Sequence, residues 1–98
     1  MRARDIYSGQ TKKEFDKNFT RVRDIITKSA GDADKEKRLA VTQANRITDE
    51  DKAINRAMAA RELGNENIFG VFFEKAYNLG RVSTQEYRDY LLEKLLED

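Results

Sequence analysis

The sequence predicts an all-α fold, a small bundle of four or five helices closed by a C-terminal αα-hairpin. Three observations predict it. Proline is absent and glycine occurs five times in 98 residues, a composition of helices separated by short turns. Apolar residues recur at steps of three and four rather than two. Glycines and capping residues fall where those periodic runs end.

The most apolar run, Asn67 to Leu79, organises the rest. At 100° per residue Ile68, Phe69, Val71, Phe72, Phe73, Ala76, Tyr77 and Leu79 cover most of a helix, leaving Gly70, Glu74 and Asn78 on the remaining face. A helix apolar over so wide an arc must be surrounded by other elements. Gly70 has no helix-propensity rationale and suits a close helix crossing.

In chain order, residues 1–10 carry Arg2 and Arg4 but only Ile6 and Tyr7 as anchors, which predicts an arm that is loose unless a partner orders it. Thr11 and Glu14 have capping-box spacing, and the first helix should run from there to about Ala30, with Phe15, Phe19, Val22 and Ile26 facing inward and Gly31 as its stop. Lys13, Lys17, Arg21 and Lys28 form a basic stripe on its other side, with Glu14 and Asp24 beside it; Asp24 and Lys28 are spaced to pair at i, i+4.

From about Asp34 the pattern is helical again, with Ala33, Ala40, Ala44 and Ile47 on one face, small enough for helix axes to approach. Two readings follow. Thr48 with Asp51 looks like a cap that starts a third helix through Ala53, Ile54, Ala57, Met58, Ala60 and Leu63. Alternatively one helix runs unbroken from Asp34 to Leu63, which would place Asp51 at an apolar seam. The cap favours the break.

Gly64 ends that segment, and Gly80 ends the apolar helix. Ser83 then reads as an N-cap with Glu86 as its capping-box partner and Val82 placed to staple against Tyr87. The last helix, Thr84 to about Glu97, carries Tyr87, Tyr90, Leu91, Leu92, Leu95 and Leu96, an arc wider than one neighbour covers. This order of glycine stop, apolar residue, Ser, Glu and aromatic resembles the short helical hairpin of some C-terminal oligomerisation modules.

Composition also bounds function. The chain has no cysteine and no histidine, which removes disulfides, thiolate chemistry, imidazole bases and the commonest zinc ligands. It has no phosphate-binding glycine loop, and the acidic group Thr48-Asp49-Glu50-Asp51 has the position of first-turn acids rather than a calcium loop. No enzyme activity, cofactor, metal or small-molecule substrate is expected. No apolar run approaches the roughly 18 to 20 residues needed to cross a bilayer, and the first residues lack a signal peptide's apolar middle. A soluble, cytoplasmic single domain spanning 1–98 is expected.

The net charge is +1, but residues 1–47 hold 12 Lys/Arg against 7 Asp/Glu, and residues 48–98 hold 7 against 11. Such a charge dipole suits an acidic partner or head-to-tail association. The stretch Arg56 to Tyr77 has the outline of a helix-turn-helix, yet its second helix presents Phe69, Phe72 and Phe73 where base-reading side chains would be needed.

Two functional readings remain. The first is a non-catalytic interaction or regulatory protein, of the kind a small phage or bacterial adaptor would be, that self-associates through Tyr90, Leu91, Leu92, Leu95 and Leu96. The second is phosphate contact with nucleic acid by Arg2, Arg4, Lys13, Lys17, Arg21, Lys28, Lys35, Lys37 and Arg38.

Overall fold

The computed structural model describes residues 12–97, and every regular element among them is a helix. The five are α1 (Lys12–Ser29), α2 (Ala33–Arg46), α3 (Glu50–Glu62), α4 (Glu66–Asn78) and α5 (Thr84–Leu96). The expected N-terminal arm, with Arg2 and Arg4, and the Thr11 cap lie outside the described residues.

The helix ends follow local chemistry. Gly64 and Gly80 adopt φ of +75° and +98°, conformations that cost glycine nothing. After each, two backbone bonds close a Schellman motif: Asn65 N–H to Ala60 O and Gly64 N–H to Arg61 O, then Arg81 N–H to Ala76 O and Gly80 N–H to Tyr77 O. The Ser83 hydroxyl accepts from the Glu86 N–H at 3.1 Å, as the sequence predicts. The turn after α1 uses Ala30 as well as Gly31 in the left-handed region, and Asp32 then caps α2 by accepting from the Asp34 and Lys35 N–H groups.

The chain does break between α2 and α3, so the continuous helix from Asp34 to Leu63 is not formed. The cap is Asp49 rather than Thr48: its carboxylate accepts from Asp51 N–H at 2.8 Å and Lys52 N–H at 3.4 Å. A carboxylate also complements the positive end of the helix dipole, which a threonine hydroxyl cannot.

Packing places α4 against α2, α3 and α5, while α1 packs on α2 and α3. One hydrophobic cluster runs through all five helices and includes the wholly buried Val22, Ile54, Ile68 and Phe72. The most enclosed helix is α3, where eight successive residues from Ala53 to Ala60 are buried. Its composition is not strongly apolar. Four alanines let neighbouring helices approach closely on every side, so α3 is enclosed by small size and α4 by large aromatic surface.

The inward face of α1 is rotated from the predicted one. Asn18, Val22, Ile25 and Ser29 are buried, whereas Phe15, Phe19 and Ile26 are half-buried. Phe15 and Phe19 instead contact each other, with ring centroids 4.6 Å apart. Asn18 and Ser29 can go inside because each is hydrogen-bonded there: Asn18 to Arg56, and the Ser29 hydroxyl to Ile26 O.

The αα-hairpin of α4 and α5 is held by aromatic rings. Tyr90 stands edge-on to Phe69 and Phe73 at 5.4 and 5.0 Å, and Tyr77 stacks on Tyr87 at 4.4 Å. Val82 is buried in the connection, and Arg81 pairs with Asp51 at 3.3 Å, tying the connection to the start of α3. Gly70 is explained by this contact. A Cβ there would lie 2.5 Å from the Tyr90 hydroxyl oxygen, so only glycine admits the tyrosine.

Candidate functional site

Two surfaces are assembled by this packing. The first is the outer side of α5. Because α5 leans mainly on α4, its buried contribution reduces to Tyr90, with Tyr87 half-buried. Tyr90, placed by sequence among the association residues, turns inward and is 8% exposed. The four leucines do not. Leu91, Leu92, Leu95 and Leu96 are 42%, 56%, 73% and 84% exposed. At helical spacing they form one stripe, which Arg88 enters one turn before Leu91 and Leu92, with Asp89 and Glu93 along one edge and Lys94 along the other.

The second surface is basic and centres on a residue that the sequence marks only as the start of an apparent helix-turn-helix. Arg56 of α3 is 7% exposed, yet it carries a full charge. Its Nε donates to Asn18 Oδ1 of α1 at 3.3 Å and its Nη1 to Gln43 Oε1 of α2 at 3.2 Å. Gln43 is fixed in turn, since its Nε2 donates to Arg21 O at 3.3 Å. The Arg56 guanidinium also lies 5.7 Å from the Phe72 ring centre. Its two hydrogen-bonded partners are thus neutral amides.

Burial, with the nearby Arg21 charge adding to it, lowers the Arg56 pKa to about 10, so the group remains a cation near neutral pH. Two clefts open beside it. One of about 590 Å³ is lined by Glu14, Lys17, Asp49, Asp51, Lys52 and Arg56 together with Asn18 and Asn55. The other, of about 230 Å³, is lined by Lys17, Arg21, Arg46, Lys52 and Arg56, with Asp49 as its one carboxylate and Gln43, Ile47 and Thr48 completing the wall.

The expected basic residues are therefore distributed rather than joined. Lys17 and Arg21 meet Arg46, Lys52 and Arg56 at the cleft. Lys28 pairs with Asp24 at 3.1 Å, as its spacing predicts, with both side chains largely in solvent. Lys13 is exposed one turn before Lys17, and Lys35, Lys37 and Arg38 are exposed on the first half of α2, away from Arg46. Sequence reasoning missed Arg46, Lys52 and Arg56. The available signal was a single arginine inside the alanine-rich run Ala53 to Ala60, where an unrelieved charge has no place on an enclosed helix.

Among the described residues no helix is long and apolar enough to cross a membrane. Comparison with protein-family models, with curated proteins and with solved structures finds no match to this chain.

Proposed function

We propose that this is a non-catalytic, cytoplasmic interaction protein that self-associates through the outer face of α5. The observation that carries the reading is the leucine stripe, four large apolar side chains on a helix whose other side is already occupied by α4. Contiguous apolar surface rimmed by charge is characteristic of interaction surfaces. A second copy is the favoured occupant because a leucine stripe is complementary to itself, and two-fold pairing is the commonest closed arrangement of identical chains.

Magnitudes place this contact in the weak class. Burying a leucine fully is worth roughly 1.5–3 kcal/mol, so two partly exposed stripes together supply on the order of 10 kcal/mol. The association cost is about 4–15 kcal/mol. A reversible dimer is expected, dissociating at roughly micromolar concentration or above.

The response to salt separates this contact from association driven by the charge dipole. Pairing two α5 helices brings together two copies of a segment that carries four carboxylates, Glu86, Asp89, Glu93 and Glu97, against two cations, Arg88 and Lys94. Screening should therefore leave the dimer unchanged or strengthen it. Light scattering across a salt series should show this sign. Association that collapses steeply with added salt would instead assign the contact to the basic and acidic halves meeting head to tail, and α5 would lose its role.

A further inference from the structure

We propose that the smaller cleft beside Arg56 is a binding site for a phosphate group. It lies apart from the α5 face and is independent of self-association. Its walls come from three helices: Lys17 and Arg21 from α1, Arg46 from the end of α2, and Lys52 and Arg56 from α3. None of these five cations forms an ion pair with a carboxylate among the described residues.

The asymmetry of charge selects this cleft over its larger neighbour. The larger one sets three carboxylates, Glu14, Asp49 and Asp51, against three cations, and so offers an anion no net attraction. In the smaller one a single carboxylate faces five cations, and that carboxylate is engaged. Asp49 already accepts from the Asp51 and Lys52 N–H groups, so the first turn of α3 is capped and the anion's ligands are side chains.

Arg56 makes this more than a solvated basic patch. A buried cation is ordinarily matched by a buried anion, since desolvation of an unmatched charge is costly. Here the guanidinium is held in a fixed orientation by Asn18 and Gln43 through Nε and Nη1. Its Nη2 has no hydrogen bond among the described residues and is not sealed from the cleft. A planar, preoriented donor at the floor with exposed cations at the rim is the arrangement that recognises a phosphate oxygen. An anion there would also offset the burial and, after it, the Arg21 repulsion that hold the Arg56 pKa down.

The test is calorimetric titration of the full chain with inorganic phosphate, with pyrophosphate and with a short single-stranded oligonucleotide, at ionic strength held constant with chloride. The expected result is saturable binding of pyrophosphate at one site, weakened about tenfold or more by Arg56→Met and reduced by the exposed substitutions Arg46→Gln and Lys52→Gln. Lys37→Gln, on the exposed first half of α2 and outside the cleft lining, should leave pyrophosphate binding unchanged. Asp49→Asn keeps a capping side chain but removes the one carboxylate, and should tighten binding severalfold.

An oligonucleotide that competes with pyrophosphate for this site would identify a nucleic-acid backbone as the source of the phosphate. Oligonucleotide binding without competition, or the absence of a saturable response to either ion, would overturn the proposal. So would binding that survives Arg46→Gln and Lys52→Gln unchanged. These two variants keep the outcome decisive even where Arg56→Met disturbs folding.

Discussion

A methyl group at position 70 would lie 2.5 Å from the Tyr90 hydroxyl oxygen, which is itself buried without a hydrogen-bond partner among the described residues. An unsatisfied buried hydroxyl costs about 1–3 kcal/mol, so Tyr90→Phe should be neutral or stabilising. Gly70→Ala should destabilise the wild-type chain through the clash. In the Tyr90→Phe background the same substitution should become favourable by about 0.5–1 kcal/mol, the helix-propensity gain of alanine over glycine. Denaturant unfolding of the four proteins measures that change of sign; equal effects in both backgrounds would separate Gly70 from Tyr90. Tyr87 gives a second prediction at this scale. Burial first, then Glu74, Tyr90 and Tyr77, raise its pKa above the ordinary tyrosine value. The folded state then binds the phenolic proton more tightly than the unfolded state. Stability from this group is complete below pH 10 and is lost as pH rises through its folded-state value. Arg56, lowered to about 10, acts with the opposite sign over the same range. Tyr87→Phe should therefore flatten the alkaline decline of stability, and the tyrosinate absorbance lost with it should have a midpoint above pH 10.

The start of α3 shows how far a helix boundary can be read from residues alone. With Asp49 as the cap, Asp49→Ala should cost about 1 kcal/mol, whereas Thr48→Ala should stay within about 0.5 kcal/mol; thermal melts of the two variants decide between the neighbours. The break and both glycine stops were legible because capping is local chemistry between residues two to five apart. The same holds for Ser83 and the hairpin it opens. The orientation of α1 was not legible. Its buried face includes Asn18 and Ser29, and Asn18 is acceptable inside only because Arg56, 38 residues away, donates to it. Hydrophobic periodicity records no such partner, so it assigned Phe15 and Phe19 to the face that polar residues occupy. The enclosure of α3 was hidden for a related reason: alanine carries little hydrophobic signal, and its value is the close approach it permits.

At the scale of the molecule, α1 and α2 pack around α3 and α4, and α5 is added on one side by a set of aromatic contacts. That arrangement divides the last helix into a tyrosine side committed to the core and a leucine side that is not. The sequence showed that α5 has more apolar arc than one neighbour covers; which residues stay uncovered required the packing. The basic site was less legible still, because Lys17, Arg46 and Arg56 belong to three different helices and meet only after folding. The most direct test of self-association through α5 is sedimentation equilibrium on the full chain beside the variant Leu92→Lys, Leu95→Lys, with thermal unfolding of both. A concentration-dependent dimer is expected for the wild type and a monomer for the variant, with melting temperatures that agree once both are monomeric. A wild-type chain that remains a monomer at every accessible concentration, or a variant that dimerises as the wild type does, would contradict it.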